Sequence, residues 1–194
     1  MNTPRALLLV LVAAVVFSLA TAAKANLIVN GGFETGDFSG WTLSGNTVNA
    51  FVAGTFDGIA PHSGNFQAIF GPAGSPGFLS QTLATTPQQF YQISFALANE
   101  GGTPSFFSLI WNNVTIFSLT NPSAFPYIVF NFNVRATSAS TQLRFAFRND
   151  PTFFHLDDVS VNQIAPPVPD TGSTFSLLGF ALLGLIALRR KLSW

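Results

Sequence analysis

Cysteine is absent from the 194-residue chain and histidine occurs only twice. The first absence excludes disulfides, thiolate metal sites and a cysteine nucleophile, whatever the compartment. The second leaves His62 and His155 without the spacing of a zinc site. Charge is scarce as well: eight Lys and Arg face eight Asp and Glu, for a formal net charge of +0. Phosphate binding wants a clustered excess of cations, so nucleic acid is not an expected partner. No sustained 3.6-residue apolar stripe occurs between residues 26 and 164, and no glycine-rich loop opens a helix to cradle phosphate. Against these absences stand 48% hydrophobic residues and 22 phenylalanines. That content excludes a disordered chain, which would be polar and highly charged.

The two ends read as addresses. Arg5 precedes the small and apolar run Ala6 to Ala20, and Ala23-Lys24-Ala25 follows. This is the three-part layout of a secretory signal peptide over residues 1–25, with Ala23 and Ala25 at the −3 and −1 positions of a signal peptidase cut. An uncleaved anchor is the alternative, because the run is only slightly short of a span. At the other end, the proline-rich residues 165–172 form an extended linker. An apolar run over 173–188 and a basic tail over 189–194, with Arg189, Arg190 and Lys191, follow it. As a helix, sixteen residues reach about 24 Å, short of the roughly 30 Å hydrocarbon core, so a span must thin the bilayer or snorkel its flanks. The basic cluster belongs on the cytoplasmic side of the inner membrane, which puts everything before it outside.

Val168, Pro169, Asp170, Thr171 and Gly172, the Leu/Gly/Ala-rich run and Arg-Arg-Lys resemble the C-terminal sorting signals of the PEP-CTERM class. They are closest to its Val-Pro-Asp-Ser-Gly variant, with Thr171 in the serine's place. The resemblance implies an exosortase-like sorting enzyme that removes the helix and passes the protein to the envelope or polysaccharide-rich matrix of a Gram-negative bacterium. Two alternatives stay open: a sortase signal of the Leu-Pro-x-Thr-Gly type, and a plain membrane anchor on a proline-rich stalk.

Residues 26–164 read as strands. Tyr91, Ile93, Phe95 and Leu97 alternate with Gln92, Ser94, Ala96 and Ala98, and the stretches 128–134 and 142–148 alternate in the same way. Period two marks half-buried strands. Further short candidates include Leu27–Val29, Trp41–Leu43, Val48–Val52 and Phe153–Val161, separated by turn formers such as His62-Ser-Gly-Asn and Gly71-Pro-Ala-Gly. About ten such strands predict an all-β fold, an antiparallel β-sandwich of the jelly-roll kind. Nearly every phenylalanine is expected in its core.

Asn26-Leu-Ile-Val-Asn-Gly-Gly-Phe-Glu34 through Trp41 is similar to the opening of galactose-binding-like jelly rolls, which include several carbohydrate-binding modules. Phe154-His-Leu-Asp-Asp-Val-Ser-Val161 resembles their close, and His62 to Ala68 their short Ser-Gly segment. In that scaffold the opening Glu and a closing Asp meet at a structural calcium, which puts Glu34 and Asp157 forward as ligands. A metal-free polar cluster is the alternative. Asp158 points to the opposite face of a regular strand and so joins Asp157 only if the strand bulges.

Catalysis has little to work with. A Ser-His-Asp triad needs a histidine within reach of the serine, and a glycosidase needs two facing carboxyls; neither arrangement is visible. Trp111 with Asn112 is the best local arrangement for a sugar, a ring beside amides, with Tyr127 second; a core tryptophan beside a turn is the alternative. The expectation is therefore a non-enzymatic, exported surface or matrix protein with a structural or adhesive role involving polysaccharide; the alternatives are a dedicated carbohydrate-binding module for a defined glycan and a secreted hydrolase with an unrecognised site. Once both ends are removed, residues 26–172 keep three arginines against eight acids, a net of −5.

Overall fold

The computed structural model describes residues 25–165. The leader, apart from Ala25, and the sorting motif, apolar run and basic tail lie outside the described residues. Ten strands run in chain order: β1 (Thr42–Gly45), β2 (Ala50–Ala53), β3 (Gln67–Phe70), β4 (Gly77–Ala84), β5 (Phe90–Asn99), β6 (Ser105–Trp111), β7 (Val114–Thr120), β8 (Phe125–Arg135), β9 (Ser140–Asn149) and β10 (Phe154–Ile164). They form two antiparallel five-stranded sheets, ordered β1-β4-β9-β6-β7 and β2-β3-β10-β5-β8. The sandwich expected from the sequence is thus the observed architecture.

Alternation explains which face each strand buries. Tyr91, Ile93, Phe95 and Leu97 of β5 lie in the core, as do Leu143, Phe145 and Phe147 of β9 and Leu109 and Phe107 of β6. Facing rings interdigitate between the sheets: Phe95 meets Phe145 edge-on at 5.3 Å, and Phe70 stacks on Phe147 at 3.9 Å. Each such side chain contributes roughly 1.5–3 kcal/mol by leaving water.

Not every phenylalanine is in that core. Phe51, Phe56 and Phe153 form a satellite of edge-to-face contacts, with 5.0 Å between Phe56 and each of the other two rings. Phe56 also reaches the His155 ring at 6.3 Å. Alternation carries Phe51 of β2 and His155 of β10 onto the outer face of the second sheet, opposite their core-facing neighbours. The loop between β2 and β3 folds over that face.

The expected strand at Leu27–Val29 is not a strand, although Leu27 N–H donates to Val161 O. β10 is longer than the sequence indicates, and it is interrupted. Its register on β5 shifts between Asp157 and Ser160, where Asp158 has φ +52°. One extra residue is inserted there, so Leu156 and Val159 both stay inside while Asp157 and Ser160 both face out.

Candidate functional site

Three regions carry polar chemistry, beginning at the bulge. In a regular strand Asp158 would point into the core beside Leu156; the bulge instead turns it toward the segment that precedes β3. There its two oxygens take His62 Nδ1 and Ser63 Oγ, each at 2.6 Å. Asp157 accepts the backbone N–H of Ser63 at 3.1 Å and of Asp158 at 2.7 Å. Glu34 accepts the N–H groups of Asn65 and Phe66. Three carboxylates from opposite ends of the chain thereby hold one turn, His62 to Phe66.

Gly64 makes this possible. Its φ is +63°, and a Cβ there would lie 2.2 Å from Glu34 Oε1. Backbone donors hold the exposed Glu34 carboxyl below its usual range. Asp157 goes the other way: it is fully buried, and burial pushes its carboxyl up to about 6 despite its two N–H partners. Among the described residues no arginine offsets this charge, since Arg148 pairs with Asp150 while Arg135 and Arg144 lie over Phe90 and Phe78.

The sequence-predicted pair Glu34 and Asp157 is therefore brought to one turn, and the bulge adds Asp158. Gly32 borders all three at ordinary contact distance. A Cβ on it would sit 3.7 Å from Glu34 Cγ and 3.8 Å from an oxygen of each aspartate. That oxygen-only donor set fits Ca²⁺, which takes about six to eight oxygens in flexible geometry. No three His, Cys, Asp or Glu side chains are grouped to hold a metal among the described residues. Backbone carbonyls and water would have to complete the shell.

Ser63 donates its proton to Asp158 and not to an imidazole, so the neighbouring Ser63 and His62 do not form the relay of a serine nucleophile. The second histidine is buried elsewhere on the same face. Gln67 Nε2 donates to Gly54 O and Ile59 O, which fixes its amide and leaves Oε1 to accept from His155 Nδ1 at 3.0 Å and from Tyr127 Oη at 2.5 Å. Burial and the charges of Asp157 and Asp158 hold the Tyr127 phenol protonated well above its usual range. Tyr127, expected as a sugar contact, thus reaches from β8 to β3 to brace Gln67.

The second region was missed in the sequence. Three strands of the second sheet align Asn162, Gln92 and Asn133 in one row, and Ser160, Ser94 and Asn131 in the next. All six face out, and Gln92, Asn131 and Asn133 are exposed. None of their side chains has a hydrogen-bond partner among the described residues. The signal lay in the polar half of the alternation, but which polar residues become neighbours depends on register across β10, β5 and β8.

The third region surrounds Trp111. Its indole is 4% exposed, packs 6.1 Å from Tyr91 and donates to Arg135 O. Trp111 is therefore a core residue whose edge reaches a cavity, and it offers no open ring face to solvent. That cavity, about 270 Å³, lies between the edge strands β7 and β8 and is lined by Trp111, Val114, Ile116 and Val134, with Asn112, Asn133, Arg135 and Thr137 at its polar side. Asn112 has φ +48° and donates Nδ2–H to Thr137 Oγ1.

Comparison with known proteins bears on the fold and on the tail. The β-sandwich is similar to the TmCBM61 module solved with beta-1,4-galactotriose, at 20% identity and a TM-score of 0.58, over 72% of this chain and 99% of that one. It is similar to the CBM22-1 xylan-binding domain of Paenibacillus barcinonensis Xyn10C, at 16% identity and a TM-score of 0.51, over 74% and 97% of the two chains. The K3 cleaved adhesin domain of Lys-gingipain from Porphyromonas gingivalis is also similar, at 14% identity and 0.51, over 73% and 98%. No curated protein matches the chain by sequence. The described residues share the jelly-roll fold of carbohydrate-binding modules, and residues 167–192 carry a VPDSG-CTERM motif.

Proposed function

We propose that the protein is an exported, non-enzymatic surface or matrix protein that binds polysaccharide through the outer face of its second sheet. One observation carries this reading: the two rows of free amides and hydroxyls formed by Asn162, Gln92, Asn133, Ser160, Ser94 and Asn131. Each amide offers two donors and an acceptor, the complement of a sugar's hydroxyls, without the cost of desolvating a charge. The modules of similar fold that are named for galactotriose and xylan support this choice of ligand class.

The VPDSG-CTERM motif supports export and sorting, with Val168 to Gly172 read by an exosortase-like enzyme and the segment after it removed. Adhesion to exopolysaccharide then places the domain in the envelope or the matrix. Intact mass of protein recovered from cells tests the sorting half, since retained Arg189–Lys191 makes the tail a plain anchor.

A glycan array of the full-length chain tests the binding half. Binding should fall at least tenfold when Gln92, Asn131 and Asn133 are changed together to Ala, with the melting temperature retained, because three amide contacts are lost. Undiminished binding by that variant overturns the site, and no binding by the wild type leaves a purely structural role.

A further inference from the structure

The row Asn162, Gln92, Asn133 ends at the Trp111 cavity, because Asn133 belongs to both. The cavity differs from the rows in two respects. Its floor is apolar, made by Trp111, Val114, Ile116 and Val134, and its rim carries a charge, Arg135. The guanidinium is exposed, and only its Nε is engaged, donating to Gln88 O at 3.2 Å. Phe90 supports it from below, 5.7 Å from ring centroid to Cζ.

Among the described residues no carboxylate pairs with it. Every lining residue comes from the stretch 101–149, which holds three arginines and no Asp or Glu. Asp157 pairs with Ala96, six residues along β5 from Phe90, the partner of Arg135. At about 3.3 Å per residue that is roughly 20 Å, well beyond the ~8 Å Debye length of physiological salt.

We propose that the cavity is a subsite for a single acidic sugar, a uronate unit of the polysaccharide. The apolar floor takes the sugar's C–H face, Asn112, Asn133 and Thr137 meet its hydroxyls, and Arg135 takes its carboxylate. A volume of about 270 Å³ is enough to admit a single sugar ring. The proposal rests on the glycan-binding reading above and adds the class of sugar.

The test is a titration of the full-length chain, followed by the indole N–H signal of Trp111, with the methyl glycosides of glucuronate and galacturonate and with their carboxyl-reduced forms, methyl glucoside and galactoside. At least one uronate should bind roughly fivefold tighter than its reduced form, the factor expected of one exposed charge pair. Arg135→Gln should bring that ratio to about one without moving the melting temperature. Equal affinity for the acid and its reduced form, or a preference that survives Arg135→Gln, overturns the acidic subsite while the amide rows stand. Failure of every glycoside to move the Trp111 signal also overturns it. Loss of array binding in the Gln92, Asn131, Asn133 variant is judged separately and decides the broader reading.

Discussion

His155 Nε2 lies 2.7 Å from Glu100 Oε1, and the other nitrogen of the same imidazole is already a donor to Gln67. The Gln67 amide cannot be turned, since both of its Nε2 protons go to carbonyls. An ionised carboxylate only accepts. The His155–Glu100 pair therefore holds a proton between its two groups, as imidazolium and carboxylate or as imidazole and carboxylic acid. In either form Nδ1 is protonated, which nitrogen-15 spectra of the imidazole will show.

Gln67 is the centre of that network, and Gln67→Leu is the substitution that empties it. The change strands Tyr127 Oη–H, His155 Nδ1–H and the carbonyls of Gly54 and Ile59, all close to or within the buried face. Each orphaned group costs about 1–3 kcal/mol, partly relieved where water enters. A loss of roughly 3 kcal/mol is expected in urea unfolding. A variant within about 0.5 kcal/mol of wild type, the size of an ordinary surface change, would show that the network carries no stability.

Asp157 gives a pH dependence whose sign is opposite to that of most acids. Burial raises its folded carboxyl to about 6 from an ordinary 3.8. The folded state thus holds the proton more tightly, and the stability linked to it is full below the unfolded value and lost as pH rises through about 6. The loss is of the order of 1–3 kcal/mol between pH 4 and 7. Glu34, Asp37 and Asp150 are lowered and act in the other direction. The informative quantity is the difference between wild type and Asp157→Asn in chelator, which should change across this window; a flat difference would contradict a protonated Asp157.

The same residues show where sequence reading succeeds and where it stops. Alternation in Tyr91 to Leu97 fixes the inward face of β5, because burial on one side leaves no choice of register. The similarity of the two chain ends to one scaffold put Glu34 and Asp157 forward together, and both carboxylates accept N–H groups of the His62 to Phe66 turn. The bulge at Asp158 was not legible, because it depends on a distant partner: Val159 N–H donates to Gly31 O. Tyr127 of β8 reaches Gln67 of β3, and the buried Trp111 of β6 donates its indole N–H to Arg135 O of β8. Each is a contact between strands far apart in sequence.

Gly64 and Gly58 separate two costs of a side chain. Both have positive φ, +63° and +81°, so alanine strains the backbone at either by about 1 kcal/mol. At Gly58 a Cβ meets nothing within 4 Å, whereas at Gly64 it would collide with the Glu34 carboxylate. Gly64→Ala must therefore push the Glu34 carboxylate off Asn65 and Phe66 and should lower the melting temperature further than Gly58→Ala does. Equal melting temperatures would mean that Glu34 does not hold the turn.

Calcium would supply the positive charge that Asp157 lacks. An ion seated by Glu34 and Asp157 would favour the ionised carboxyl that burial opposes, so it would bind the folded chain and raise its stability. Weak extracellular sites have dissociation constants of about 0.1–1 mM. At a hundred times such a constant the gain is about 2.7 kcal/mol, and at concentrations near it only a few tenths. The melting temperature of the full-length chain should accordingly climb with Ca²⁺ and fall back in chelator. Magnesium at equal concentration should do much less, because it demands near-ideal octahedral geometry. Glu34→Gln and Asp157→Asn should each remove the response. Because Ca²⁺ also draws the proton from Asp157, the rise should be larger at pH 7 than at pH 5. A melt that calcium leaves unchanged at both pH values would make the three carboxylates a strap for the His62 to Phe66 turn and nothing more.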